Sequence, residues 1–214
     1  MNLHWLHSHM NNSGVFISHK HALWLGRFQP PSIGHLMTVL AILARWKFLT
    51  IGVVHRSNQS GDAHPKWESY LKNTRNVTQS LIRNPFQPEE VIAMFKATLD
   101  TQNIAHRVQF INMPQTAYQP AFNSIYPPEK YDFVDIALTS HDPETDYIRQ
   151  KAFRDLLDRP VEYIRTPWKI HISQVRDRID KGIGSWDEYI PKGGYEYFLS
   201  LNGPARMGGI NLKK

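Results

Sequence analysis

The chain contains no cysteine among its 214 residues. Disulfide bonds and thiolate metal sites are therefore excluded, and the absence fits a reducing compartment such as the cytoplasm. No apolar run approaches the roughly 20 residues that a membrane-spanning helix needs. The first 20 residues also lack the apolar segment that marks a secretory signal. We therefore expect a cytoplasmic protein without a membrane partner.

No run of Lys or Arg marks a nucleic-acid-binding tail, although the net charge is +6 and the isoelectric point is near 9.5. The basic residues are scattered, and such a balance favours anionic partners such as nucleotides and other phosphates. Residues 1–19 are rich in histidine, which predicts a loosely docked N-terminal arm, with metal binding as the alternative.

Short apolar runs alternate with helical stripes along the rest of the chain. This alternation predicts an α/β, Rossmann-like, doubly wound fold, with a mainly parallel sheet of five or six strands and helices on both faces. We expect a single domain at residues 20–201 and a flexible tail at 202–214. The ligand site of such a sheet lies at the carboxyl ends of its strands. The strands are expected at 21–25, 46–54, 108–111, 131–138 and 161–164.

The most informative stretch runs from Gly26 to His35 and reads Gly-Arg-Phe-Gln-Pro-Pro-Ser-Ile-Gly-His. An apolar run precedes it and a stripe at helical spacing follows it. A strand, a tight Gly/Pro turn and a helix start are therefore predicted, with Ser32 as a candidate N-cap. That geometry directs backbone N–H groups and the positive end of a helix dipole at one place, which suits a phosphate. Gly26 and Gly34 would let the backbone approach a ligand closely.

This stretch resembles the first signature of the nicotinamide mononucleotide adenylyltransferases. These belong to the HxGH nucleotidyltransferase, or cytidylyltransferase-like, superfamily. The likeness lies in the Gly-Arg-Phe-Gln-Pro string and the Gly34-His35 pair, whereas Ser32 stands where the family has His. We refer to residues 26–35 as the first signature.

Two further segments resemble the same family. Residues 171–176, His-Ile-Ser-Gln-Val-Arg, are similar to the superfamily's second signature, with His171 in place of a Ser. We refer to them as the second signature and expect Ser173 to cap the helix that follows. Asn84-Pro85-Phe86 ahead of a helix is also similar to the family, although Glu89-Glu90 replaces its Glu-Arg pair. The resemblance covers roughly residues 21–200.

The resemblance implies adenylyl transfer from ATP to nicotinamide mononucleotide, giving NAD and pyrophosphate, with Mg²⁺ carried by the triphosphate. It implies no protein metal ligand, and a homo-oligomer is compatible with it. The implied catalytic residues, which would contact phosphate, are His35, Arg176 and Ser32. The implied nucleotide-binding residues are Gly26, Arg27, Phe28, Gln29, Gly34, Ser140, His141, Ile172 and Ser173. The candidate acceptor-binding residues are Asn123 and Trp168.

Three alternatives stay open at this point. The substrates could be CTP, or another phosphate or phosphonate acceptor. The protein could bind nucleotides without catalysis, because Ser32 replaces the usual His. The charge and the aromatic residues of Tyr118–Tyr126 would also suit a nucleic-acid binder. A hydrolytic triad of Ser140, His141 and Asp142 is rejected, because adjacent residues cannot readily form the linear relay.

Overall fold

A computed structural model describes residues 18–55, 84–114, 126–137, 161–165, 170 and 172–208. Five strands and five α-helices are described, together with two 3₁₀ turns, at Ala105–Arg107 and Asp187–Tyr189. The strands are β1 (Ser18–Gly26), β2 (Trp46–His55), β3 (Val108–Pro114), β4 (Tyr131–Ala137) and β5 (Val161–Arg165). The helices are α1 (Ile33–Leu43), α2 (Pro88–Thr101), α3 (Ile172–Asp180), α4 (Gly194–Ser200) and α5 (Gly203–Met207).

The five strands form one parallel sheet in the order β3-β2-β1-β4-β5. The chain moves outward from β1 through β2 to β3, then returns to the other side of β1 for β4 and β5. Strand order therefore reverses between β1 and β4, and the carboxyl ends of these two strands border the crevice where ligands bind in such sheets. The fold is α/β and Rossmann-like, as the alternation of apolar runs predicts.

The strand predictions hold because each run contains enough apolar residues to contribute to the core, and the central strands β1 and β2 are buried on both faces of the sheet. Trp24 pairs with Ile51 on β2 and Val134 on β4, and these three side chains are buried on one face. Leu23 pairs with Phe133, and both are buried on the opposite face. The observed bounds differ from the predicted ones by at most three residues, the largest differences lying at the start of β1 and the end of β3.

The main core lies between one face of the sheet and the described helices. Val39 of α1 and Phe95 of α2 belong to this core together with Trp24 of β1. Val175 of α3 and Phe198 of α4 extend it. Each of these side chains is at most 3% exposed, so the helices that carry the two signatures are fixed to the same hydrophobic cluster.

The packed part of the chain continues beyond the predicted start of the tail at residue 202. Residues Gly203–Met207 form α5, and Met207 is only 2% exposed. Gly203 lies directly against the ring of Phe198, which leaves no room for a side chain there. A helix of five residues is too short to show an apolar stripe, which is why the sequence pattern gives no sign of it.

Some expectations lie outside the described residues. They include the N-terminal arm up to residue 17 and residues 209–214 of the predicted tail. In the described parts of the chain, no helix combines the length and apolarity needed to cross a membrane.

Candidate functional site

The first signature connects β1 to α1 and is organised around Ser32, the N-cap of the helix. The His35 N–H donates to Ser32 Oγ at 3.4 Å, and the Ser32 N–H donates to His35 Nδ1 at 2.9 Å. This is a capping box in which His replaces the usual Glu or Gln at the third helical position. Because Nδ1 accepts a hydrogen bond, the neutral imidazole carries its proton on Nε2.

Aromatic rings hold the imidazole of His35 from the core side. The ring of Phe28 meets it edge-on at 5.1 Å between centroids, and Trp24 and Phe95 lie at 6.1 and 6.5 Å. The His35 side chain is half-buried, whereas Ser32 is only 1% exposed. Ser32 therefore orients His35 in this structure, and a contact between its hydroxyl and a nucleotide remains a prediction.

Phe28 shapes the turn through its backbone and fills the core with its ring. Its φ of 51° lies in the left-handed region, which is uncommon for a residue other than glycine. The ring is 4% exposed and folds back over Gly26, where a Cβ would lie 2.7 Å from Phe28 Cε1. A glycine is therefore required at position 26, because the Phe28 ring leaves no room for a Cβ there. Only the backbone of Phe28 remains as a candidate ligand contact.

Gln29 uses its side-chain amide to join the first signature to Phe86. Its Nε2 donates to the Phe86 carbonyl at 2.8 Å, and its Oε1 accepts from the Phe86 N–H at 2.9 Å. The side chain is 6% exposed. The resemblance implies a nucleotide contact for Gln29, whereas the structure shows its side-chain amide bound to the turn before α2.

The two signatures meet although they are separated by about 140 residues in the sequence. Arg176 Nη2 donates to the backbone carbonyl of Gln29 at 3.3 Å, and the arginine is half-buried. A Cβ built on Gly34 would lie 2.8 Å from the carbonyl oxygen of Ile170. Ile170 lies just before α3, so the amino ends of α1 and α3 are neighbours. Two positive helix ends and a guanidinium thus gather beside the carboxyl end of β1.

Sequence reasoning missed one charged cluster that supports this region. Arg206 of α5 forms two hydrogen bonds of 2.8 Å with the carboxylate of Glu90 on α2. Its Nη2 also donates to the Pro85 carbonyl, and its guanidinium lies 4.6 Å from the centroid of the Phe86 ring. The family resemblance indicates only that an arginine is absent beside Glu89. The partner of Glu90 comes instead from a helix 116 residues away, and no sequence spacing could reveal it.

Glu90 and Arg206 each stabilise the ionised form of the other. Hydrogen bonds from Arg206 hold the pKa of Glu90 below its ordinary value, and the Gln87 N–H contributes in the same direction. The hydrogen bond with Glu90 raises the pKa of Arg206. Both groups are therefore ionised at neutral pH. A carboxylate with a depressed pKa adds stability above its ordinary pKa, and that stability is lost as the pH falls from there through the lowered value.

The remaining predicted site residues divide into two groups. Arg27 lies half-buried in the first signature. Helix α3 begins at Ile172, so Ser173 lies in the first turn of this helix rather than at its N-cap, where we expected it. Four candidates lie outside the described residues, namely Asn123, Ser140, His141 and Trp168. Within the ranges that the structure describes, no three His, Asp or Glu side chains are placed to hold a metal ion.

The fold and the two adjoining helix ends define a Rossmann-like α/β protein with a site suited to phosphate. Solved structures that share this fold include two of a bifunctional NMN adenylyltransferase/ADP ribose pyrophosphatase from Francisella tularensis. The structure of that protein complexed with AMP and a Mn ion matches 91% of this chain, with 19% sequence identity and a TM-score of 0.57. The other structure is 19% identical, with a TM-score of 0.58 over 89% of the chain.

The chain has the fold of these adenylyltransferase structures and spans about half of their length, with 53% of each covered. A Plasmodium falciparum nicotinic acid mononucleotide adenylyltransferase complexed with NaAD also matches, at 16% identity and a TM-score of 0.39. This match covers 87% of this chain and 98% of the Plasmodium chain. No protein-family model and no curated protein matches the sequence.

Replacement of Gly34 by alanine tests whether the two helix ends touch. Alanine favours a helix interior by about 1 kcal/mol over glycine, so α1 alone would gain stability. The contact with the Ile170 carbonyl reverses the sign, and we expect Gly34→Ala to lower the free energy of unfolding by about 1–3 kcal/mol. Denaturant unfolding measures the change.

Gly184→Ala is the matched control, because a Cβ there meets no atom within 4 Å. This variant should be as stable as the wild type or slightly more stable. If both glycine variants behaved alike, the close packing of α1 against Ile170 would be wrong.

Proposed function

We propose that this chain is a nucleotidyltransferase that joins a nucleoside triphosphate to the phosphate of a mononucleotide and releases pyrophosphate. ATP and nicotinamide mononucleotide are the first candidates, with NAD as the product. The main support is the meeting of the two signatures, in which Arg176 bonds the Gln29 carbonyl and Gly34 contacts Ile170, the residue directly before the second signature. The shared fold with NMN adenylyltransferase structures agrees with the proposal.

The reaction requires alignment and charge neutralisation more than it requires a protein nucleophile. An oxygen of the mononucleotide phosphate attacks the α-phosphorus of the triphosphate and forms a new P–O bond. The bond between the α-phosphorus and the bridging oxygen to the β-phosphate breaks, and pyrophosphate leaves with the electron pair. The attacking phosphate is already anionic near neutral pH, so hydrogen-bond donors and positive charge are the protein's main contribution.

Three kinds of group among the described residues can supply these donors. His35 offers Nε2–H, because Nδ1 is occupied by the Ser32 N–H. The N–H groups of Ile33 and Gly34 lie in the first turn of α1, where a helix provides no intrahelical partner. The guanidinium of Arg176 bonds the backbone of the same turn. The three groups therefore suit the oxygens of one polyphosphate.

A divalent cation would be held mainly by the triphosphate and water. The groups that the two signatures provide are hydrogen-bond donors, which suit phosphate oxygens and would leave the cation with the triphosphate. Such an ion would neutralise phosphate charge during the transfer.

A second candidate is a nucleotide-binding protein that no longer catalyses. It is favoured by one observation, namely that Ser32 is 1% exposed and bonded to His35, so a phosphate contact from that position needs a local change. The two candidates differ in whether pyrophosphate forms.

An assay of pyrophosphate release separates these candidates and identifies the substrates. We expect release with ATP and nicotinamide mononucleotide, with formation of NAD in equal amount. CTP and other phosphate or phosphonate acceptors are the comparison substrates, and a better turnover with one of them would change the substrate assignment. Nucleotide binding by calorimetry without any pyrophosphate would favour the non-catalytic candidate.

The role of His35 is tested with two substitutions that differ in their effect on the fold. Gln at this position keeps an acceptor for the Ser32 N–H, as in an ordinary capping box, but removes the imidazole. Ala removes both. We expect both variants to lose about 100-fold or more in kcat, because the imidazole Nε2–H, which the capping box and the aromatic rings hold in place, is missing. Only His35→Ala should lose stability, by about 1 kcal/mol. Full activity in His35→Gln would remove the imidazole from the mechanism.

Arg176 can be compared with an arginine on the same helix. Arg178 donates to Gly184 and Ser185 rather than to the first signature. We expect Arg176→Met to lower kcat by about 100-fold or more, because positive charge is lost beside the transferred phosphate. Arg178→Met should leave kcat within about threefold, since an exposed contact contributes little. Equal losses in the two variants would contradict a specific role for Arg176.

A further inference from the structure

Three contacts in series connect the C-terminal helix α5 to the first signature. The first is the double hydrogen bond between Arg206 and Glu90, with the added bond from Arg206 to the Pro85 carbonyl. The guanidinium also lies over the ring of Phe86. One side chain thus holds the start of α2 and the turn that precedes it. The Glu90 carboxylate also accepts a hydrogen bond from the Gln87 N–H at 2.7 Å. It therefore connects Arg206 to the residue that follows Phe86.

The second contact is between that turn and Gln29. The backbone of Phe86 forms two hydrogen bonds with the Gln29 amide, and both residues are buried. A buried amide that loses such partners costs about 1–3 kcal/mol, so the positions of Phe86 and Gln29 are strongly coupled. A shift of the Pro85–Phe86 turn would therefore move Gln29 or leave its amide unsatisfied.

The third contact is between Gln29 and the second signature. The Gln29 carbonyl accepts from Arg176, and Gln29 lies between Phe28 and the N-cap of α1. We propose that Arg206 is a positioning residue that holds Gln29, through Phe86, where it orients Arg176 and the amino end of α1. This inference rests on the proposed function, since Arg206 would act on the transfer without touching the substrate.

Arginine is suited to this position in a way that lysine is not. Its planar guanidinium donates to both Glu90 oxygens and to the Pro85 carbonyl while it stacks on Phe86. A lysine would keep the positive charge but could not make this set of contacts together. The alignment of reacting groups is sensitive, because a misplacement of about 1 Å can cost about 100-fold in rate.

The chain offers a matched control for Arg206. Arg45 also pairs with a carboxylate, that of Glu162 at 3.3 Å, and also lies over an aromatic ring, that of Trp46 at 4.8 Å. It lies at the opposite end of α1 from the first signature and is well exposed. Arg45→Met therefore removes the same charge, together with one longer carboxylate contact and one ring contact, away from the site.

The test measures kcat and KM for pyrophosphate release, with thermal unfolding to confirm that each variant is folded at the assay temperature. We expect Arg206→Met to lower kcat by about 10- to 100-fold with a smaller change in KM, because alignment rather than contact is lost. Arg45→Met should stay within about twofold of the wild type. Arg206→Lys is the gentler variant and should also lose kcat; wild-type kcat in a folded Arg206→Lys or Arg206→Met protein would overturn the proposal.

A double-substitution cycle distinguishes positioning from general destabilisation. If Arg206 acts through Gln29, then Arg206→Met should change kcat by less than about threefold once Gln29→Met is present. Independent, multiplying losses would overturn the proposed route.

Hydrogen exchange keeps this inference separate from the proposed function. If the wild type releases no pyrophosphate with any substrate, the proposed function fails. The amides of Phe86 and of the non-proline residues of the first signature still report the coupling. They should exchange faster in Arg206→Met than in Arg45→Met, and equal exchange would overturn the coupling itself.

Discussion

The close approach of α1 to the segment before α3 is the constraint on which the candidate site depends. Gly34 makes it possible, because a Cβ there would lie 2.8 Å from the Ile170 carbonyl oxygen. The approach places the amino ends of two helices side by side, and their dipoles favour the same negative charge. Arg176 completes the arrangement by bonding the Gln29 carbonyl. Without the glycine, the donors of the two signatures would be further apart.

The conformation of the first signature is stabilised by aromatic packing against the core and by hydrogen bonds between its own residues. Phe28 adopts a left-handed backbone conformation that is unfavourable for a residue with a side chain, and its buried ring offsets that cost through contacts with Trp24, His35 and Phe95. The Ser32–His35 capping box then fixes the imidazole. Ser32 stands where the family that the sequence resembles has His, and its short hydroxyl side chain caps α1 while it remains buried.

The C-terminal region is part of the structure that supports the site. The resemblance to adenylyltransferases covers residues up to about 200, yet α5 follows this limit and provides Arg206. The Arg206 guanidinium binds Glu90 and the turn that holds Gln29. A helix of five residues therefore contributes to the position of Gln29 at the carboxyl end of β1. Glu90 therefore takes its ionic partner from a distant helix rather than from a neighbouring residue of α2.

The sequence by itself determined the strands, the parallel α/β class and the turn from β1 into α1. These depend on local patterns: short apolar runs, a stripe at helical spacing after His35, and Ser32 ahead of it as a cap. Only the tertiary structure decided that Gln29 binds Phe86, that Phe28 packs inward and that Arg206 pairs with Glu90. These contacts join residues 57 and 116 positions apart, or depend on which way a ring turns, and no periodicity encodes them. They are fixed by how whole elements pack, because a side chain's partner is chosen by the space around it rather than by its neighbours in the chain.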